Sequence, residues 1–164
     1  MNNLAISMAL RLIHIVSGVL WVGAATMLAA YVVPAARASD DGMRYMRQLI
    51  WVRNLPRYLN VVLGLSVLSG LLLYGNFLMM TRGAWLTSRR GIVLGLGGLA
   101  AIIAAAVATF VAAPAIHRAL QLAEKGPSER DVAAASLRRY GNAMWLVVAL
   151  LLGTASMMAI SRYF

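Results

Sequence analysis

The chain has 164 residues, of which 62% are hydrophobic and 12% charged, and its mean hydropathy is +0.77. A soluble domain carries about twice that share of charge, so the composition excludes an ordinary soluble protein, and the lack of cysteine excludes disulfides, iron–sulfur clusters and thiolate metal sites. The net charge is +10, but the basic residues lie at the ends of apolar runs, which favours anionic lipid headgroups over nucleic acid as their partner.

Four apolar runs that contain no Asp, Glu, Lys or Arg fill most of the chain. They extend over Leu12–Ala36, Leu59–Met80, Gly91–Ile116 and Ala143–Ser161. About 20 apolar residues cross a bilayer as a helix. The sequence therefore predicts an all-α membrane protein with four transmembrane helices, in a single domain over residues 1–164.

The first run contains a histidine. His14, Gly18 and Trp21 are spaced at i, i+4 and i+7, so they share one face of the helix. An ionisable side chain at that depth is a candidate functional site, and a glycine one turn away leaves room for a flat ligand such as a porphyrin. A helical bundle can hold haem b with histidine as an axial ligand. The alternative is a structural histidine that hydrogen-bonds a neighbouring helix.

A short amphipathic helix is predicted in the connection between runs one and two. The segment Met43–Arg53 alternates arginines with apolar and aromatic residues, and Asp40 or Asp41 is suited to cap its N-terminus. Such a helix lies at the level of the lipid headgroups.

Pairs of methionines close runs two and four, on the side of the membrane where His14 is expected. They are Met79, Met80, Met157 and Met158. A histidine–methionine site would suit a b-type haem or copper(I), because thioether sulfur is a soft ligand. The alternative is that each methionine fills a gap in apolar packing.

The third run combines a smooth glycine face with the second histidine. Gly91–Gly98 contains four glycines, and such small residues let helices approach closely, within the bundle or between subunits. His117 ends this run near the opposite membrane face, roughly 25–30 Å from His14, so the two cannot ligate one iron within a monomer. We expect the third helix to continue beyond the bilayer to about Lys125.

The chain resembles a duplicated helical hairpin. Pro34 near the end of run one recurs as Pro114, 80 residues later, and an Arg-Tyr-x-Asn motif opens both run two and run four, 82 residues apart. Two matches at nearly one offset favour a parallel repeat of residues 1–80 and 83–164, with a pseudo-two-fold axis along the membrane normal. The alternative is chance similarity within apolar sequence of low diversity.

Under this repeat the two Arg-Tyr-x-Asn motifs face each other at the cytoplasmic side, near the end of run three. The predicted basic cluster consists of Arg57, Tyr58, Asn60, His117, Arg118, Arg139, Tyr140 and Asn142. Its side chains can bind an anionic lipid headgroup or the carboxylates of a cofactor through charge-assisted hydrogen bonds. The alternative is ordinary anchoring, since Arg and Tyr are common at membrane interfaces.

The distribution of basic residues also predicts the orientation. Ten lie in the connections after runs one and three, and five lie on the opposite side. The positive-inside rule then places both termini outside the cytoplasm, in a bacterial inner membrane. The expected partners are the bilayer, its anionic lipids and other subunits, either copies of this chain or a larger membrane complex.

The first helix resembles the start of several bacterial membrane-protein families. It reads His14-Ile-Val-Ser-Gly-Val-Leu-Trp21-Val-Gly23, a His-x6-Trp-x-Gly motif. This is similar to copper-resistance D proteins of the copper-export type, to uncharacterised four-helix membrane proteins, to the membrane part of a urate oxidase family and, more distantly, to protoporphyrinogen oxidases of the HemJ type. In the HemJ type the helix-one histidine ligates haem, which the resemblance implies for His14.

Together these features predict a small redox or metal-handling membrane protein that binds haem b or copper through His14. The alternative is a non-enzymatic accessory or structural subunit that packs through its glycine-rich third helix and binds lipid. Whether the protein catalyses a reaction is left open by the sequence.

Overall fold

The computed structural model describes residues 2–39 and 41–163. Four helices in this part are long and apolar enough to cross a membrane, and they are called spans 1 to 4. They are Leu4–Ala38, Leu55–Met80, Arg89–Glu124 and Arg130–Tyr163. The protein is therefore an all-α, multi-pass membrane protein with four spans, and the predicted fold class is confirmed.

Seven α-helices build these spans and their connections. In chain order they are α1 (Asn2–Met27), α2 (Val33–Ala38), α3 (Gly42–Arg47), α4 (Leu55–Met80), α5 (Arg89–Val107), α6 (Ala113–Glu124) and α7 (Arg130–Ile160). Two π-helical segments, Leu28–Val32 and Ala108–Ala112, join α1 to α2 and α5 to α6 into single long spans. The end of the bundle that carries α3 is called the inner end, and the opposite end, with the 3₁₀ turn Ala84–Thr87, the outer end.

The two π-helical segments occupy equivalent positions in the two halves of the chain. They start 80 residues apart, and each is followed at the same distance by a proline, at Pro34 and Pro114. Helix pairing is also equivalent, because span 1 contacts span 2 as span 3 contacts span 4. The other contacts, of span 1 with span 4 and of span 2 with span 3, are those that a two-fold axis would exchange. These matches support the predicted duplication of a helical hairpin.

The connection between spans 1 and 2 is helical, as predicted, and packs against span 3. It consists of α3 and a π-helical segment over Gln48–Val52. Met46 and Ile50 are buried, and Arg47 Nη2 lies 3.4 Å from Glu124 Oε1 at the end of α6. The arginines of this segment remain exposed, as expected of side chains that meet lipid headgroups.

Among the α-helices whose N-cap is described, only α5 has a side-chain cap hydrogen bond. Span 3 ends at Glu124, one residue before the predicted Lys125. Ser88 caps α5, because its side chain accepts a hydrogen bond from a backbone N–H of the first turn. Asp41 holds the N-cap position of α3 but makes no side-chain cap hydrogen bond, and Asp40 lies outside the described residues.

The bundle core mixes alanines with larger apolar side chains. Ala25, Ala104 and Val147 are fully buried, and Trp21 and Leu120 are 3% and 1% exposed. Large apolar side chains such as Leu71 also cover the outside of the spans. An apolar outer surface of this kind is expected of a bundle that is solvated by lipid.

Candidate functional site

His14 lies half-buried between spans 1 and 2. Its Nδ1 donates a hydrogen bond to the backbone carbonyl oxygen of Ser66 at 2.8 Å, and Ser69 Oγ lies 3.4 Å from the same nitrogen. A proton on Nδ1 leaves the lone pair of the neutral imidazole on Nε2. Histidines that ligate metals through Nε2 commonly have their other nitrogen held by a carbonyl in this way.

The imidazole ring lies directly against Gly70 of span 2. A Cβ placed on Gly70 would approach Cε1 of His14 to 2.8 Å and Nδ1 to 3.2 Å. The absence of a side chain at Gly70 therefore makes room for the ring. Ser66, Ser69 and Gly70 together form what we call the histidine seat.

The residues of the histidine seat are not among those that the sequence pattern predicts. Ser66 and Ser69 are buried, at 7% and 3% exposure, in a span otherwise rich in leucine and valine. Small polar residues in the middle of an apolar run are the signal that could have identified them. Their position opposite His14 depends on the register of two helices, which the sequence of either helix alone does not specify.

Gly18 and Trp21 share a helix face with His14 but have other neighbours. A Cβ on Gly18 would lie 3.6 Å from Ser66 Oγ, so Gly18 faces span 2 across a close helix contact. Trp21 belongs to the core between the four spans. The open slot that the sequence suggests beside the imidazole is therefore not formed by Gly18.

The predicted methionine ligands are distributed over two parts of the bundle. Met79 and Met80 follow Gly70 on α4 by about 14 to 15 Å of helix, and they are 76% and 74% exposed. That separation is too large for these sulfurs and the imidazole to bind one metal ion in this arrangement. Met157 packs against Gly97 of span 3, and Met158 is half-buried on span 4.

Among the described residues, His14 is not part of a cluster of metal-ligating side chains. In the part of the chain that the structure describes, no three His, Cys, Asp or Glu side chains are grouped so that they could hold a metal ion. One copy of the chain thus offers one imidazole nitrogen at this position. A metal bound there would need its remaining ligands from outside this set of side chains.

An aromatic cluster lies at the outer end of the bundle, and Arg11, three residues before His14, contacts it. The guanidinium of Arg11 lies 5.8 Å from the ring centroid of Phe77, and Phe77 stacks on Trp85 with centroids 4.9 Å apart. Tyr74 meets Trp85 edge-on and donates a hydrogen bond to a backbone carbonyl of α5 at 3.2 Å. These contacts tie the outer ends of spans 1, 2 and 3 together.

The predicted basic cluster divides into two groups. Five of its members are exposed and lie outside the cavity described next, namely Arg57, Tyr58, Arg118, Arg139 and Asn142. The other three, Asn60, His117 and Tyr140, line one cavity between the spans, and of these Asn60 is also exposed. The structure therefore brings three members of the cluster together and leaves its arginines, Tyr58 and Asn142 at the surface.

That cavity has a volume of about 140 Å³ and is lined by all four spans. Trp21 belongs to its wall from span 1, Asn60 from span 2, His117 from span 3, and Tyr140 and Met144 from span 4. The His117 ring is held edge-on against Trp51, with centroids 5.6 Å apart. Sites for drug-sized ligands measure roughly 300–1,000 Å³, so this cavity does not hold a porphyrin.

The glycine face of span 3 is used inside the bundle. A Cβ on Gly95 would lie 3.0 Å from Tyr74 Oη, and one on Gly97 would lie 3.4 Å from Met157 Cβ. Thr154 Oγ1 donates a hydrogen bond to the carbonyl oxygen of Gly97 at 3.0 Å. Close packing of span 3 against spans 2 and 4 therefore accounts for these two glycines.

No family model, curated protein or solved structure matches this chain. Two features of the side-chain arrangement are candidates for a functional site. They are the imidazole of His14, held by the histidine seat, and the cavity between the four spans.

Proposed function

We propose that this is a small redox or metal-handling protein of the bacterial inner membrane, which binds haem b or copper through Nε2 of His14. The observation that carries the proposal is the 2.8 Å hydrogen bond from His14 Nδ1 to the Ser66 carbonyl. It fixes the tautomer and orientation of the ring and increases the basicity of Nε2. The resemblance of the His-x6-Trp-x-Gly motif to haem-binding and copper-handling families supports the same ligand.

The histidine seat is suited to this role by its chemistry. Gly70 leaves space for the ring. The backbone oxygen of Ser66 and the hydroxyl oxygen of Ser69 both lie near Nδ1 of His14 rather than near Nε2. A bound haem b or copper supplies one-electron chemistry, which no side chain of this protein provides by itself. The protein contributes binding and orientation, through an imidazole that lies half-buried between two spans.

Two histidine variants test the proposal. We expect His14→Ala to lose at least nine-tenths of the haem or copper that co-purifies with the protein, whereas His117→Ala keeps it, because His117 lies in the separate cavity. Haem is measured by the reduced-minus-oxidised visible spectrum and copper by elemental analysis. Equal loss in both variants would contradict the assignment, as would a cofactor-free wild-type protein from cells supplied with haem and copper.

A second candidate is a non-enzymatic accessory subunit that binds anionic lipid. It is favoured by the exposed Arg57, Arg118 and Arg139, which can pair with headgroup phosphates, and by the fact that His14 already joins two spans. Under this alternative, His14→Ala lowers the stability of the bundle without any spectral change. Native mass spectrometry with cardiolipin would then show bound lipid that is lost when the three arginines are replaced by glutamine.

A further inference from the structure

The cavity between the four spans is closed on three of its sides. Span 1 contacts spans 2 and 4, and α6 contacts α7. Spans 2 and 3 meet through α4 and α5, where Tyr74 faces Gly95, but in the described part of the chain no contact of similar extent joins α4 to α6. Asn60 of span 2 lines the cavity and is also exposed, which supports an opening between spans 2 and 3. The connecting segment lies beside this opening, where its Trp51 contacts His117.

Four side chains that line the cavity carry hydrogen-bond donors, one from each span. They are the indole N–H of Trp21, the amide of Asn60, the imidazole of His117 and the hydroxyl of Tyr140. Trp21 and Tyr140 are each 3% exposed, so each side chain is enclosed by the bundle where it lines the cavity. A ligand that presents acceptors to these donors would form hydrogen bonds shielded from water.

The remaining wall is apolar, and this limits the charge of the ligand. Leu63, Ala108, Ala112 and Met144 contribute hydrocarbon surface, and the nearby arginines are exposed outside the cavity. An ionised group would lose its hydration there without gaining a paired charge. The ligand is therefore neutral, and the opening between two spans admits it from the bilayer.

The volume limits the size of the ligand. About 140 Å³ corresponds to four or five water molecules at about 30 Å³ each, which is enough for one six-membered ring. One wall is the π-helical segment Ala108–Ala112, and such irregular turns are frequent at functional sites. We propose that this cavity binds the ring of a lipophilic quinone, whose carbonyl oxygens accept hydrogen bonds from Tyr140 and the other donors while its tail remains in the lipid.

This second site is separate from the histidine seat. Trp21 follows His14 by seven residues, about 10 Å along span 1, and it points into the core rather than to Ser66 or Gly70. Quinone binding therefore does not depend on the proposed role of His14. His14→Ala should keep it, so that the two proposals can fail independently.

Equilibrium dialysis of the purified protein in detergent against a ubiquinone with one isoprene unit tests the site. Tyr140→Phe removes only the hydroxyl and should raise Kd about two- to tenfold, the value of one hydrogen bond. Tyr58→Phe, on the exposed face of span 2, is the matched control and should leave Kd unchanged. Ala108→Leu fills the cavity and should abolish binding, whereas Ala106→Leu on the exposed face of the same span should not.

Three outcomes would overturn the proposal. Absence of saturable binding to the wild-type protein would mean that the cavity holds only water. Unchanged binding in a monodisperse Ala108→Leu protein would place the quinone elsewhere, as would equal effects of the two tyrosine variants. If Tyr140→Phe does not fold, the pair of alanine variants decides the question by itself.

Discussion

At the scale of single residues, a histidine inside an apolar span is accommodated by a backbone carbonyl and a missing Cβ. The Ser66 carbonyl oxygen accepts from His14 Nδ1, and Ser69 Oγ also lies 3.2 Å from it. Helical carbonyls have a second lone pair for such bonds, so no buried acidic side chain is needed to hold the ring. Gly70 supplies the space. The result is an imidazole with one nitrogen satisfied and the other available.

Gly70→Ala should displace the imidazole, because the added Cβ would lie 2.8 Å from Cε1 of His14. We expect a loss of about 1–3 kcal/mol in the free energy of unfolding and a lower content of bound cofactor. Gly64→Ala on the same helix is the matched control, since a Cβ there meets nothing within 4 Å. Thermal unfolding in detergent, with cofactor content measured in parallel, checks this. Indistinguishable variants would show that the ring is not held as described.

At the scale of elements, the sequence pattern predicts the spans but not how they meet. The apolar runs predict the four spans because composition determines them. The amphipathic pattern predicts α3 because periodicity determines it. The repeated prolines at Pro34 and Pro114 indicated the duplication, yet nothing local predicted the π-helical turns before them. The pairing of His14 with span 2 could not be predicted either, since it is set by helix register.

Gly97→Val should weaken the contact between spans 3 and 4. A Cβ at Gly97 already lies 3.4 Å from Met157 Cβ and 3.6 Å from the Thr154 carbonyl oxygen, so a branched side chain must push the helices apart. We expect a destabilisation of about 1–3 kcal/mol, measured by denaturant unfolding in mixed micelles. Gly98→Val should have little effect, because nothing lies within 4 Å of a Cβ there. A larger effect at Gly98 would mean that span 3 presents its other face to the bundle.

At the scale of the whole molecule, the four spans carry large apolar side chains on their outside and enclose a core of alanines and larger residues such as Trp21 and Leu120. The structure confirms the membrane class and the helix count, which follow from composition. The proposed orientation depends on the charge count of ten to five and is a property of the chain in its membrane. Both termini are expected outside the cytoplasm, with α3 and the ten basic residues of the two inner connections inside.

Single cysteines can test this orientation cleanly, because the native chain has none. Thr87→Cys, at the outer end, should react with a membrane-impermeant maleimide added to cells whose outer membrane has been permeabilised. Ser128→Cys, in the inner connection, should react only after the inner membrane is opened. Both positions are exposed, so accessibility of the side chain itself is matched. Reversed labelling would place the termini in the cytoplasm.

The proposed ligation of a metal by Nε2 of His14 can be measured by electron paramagnetic resonance with isotope-labelled histidine. The chain has two histidines, so in His117→Ala every labelled imidazole is His14. For the oxidised haem or copper centre, we predict that replacing ¹⁴N by ¹⁵N in histidine changes the nitrogen hyperfine coupling of one imidazole per chain. A centre whose couplings do not respond to the label would contradict the claim.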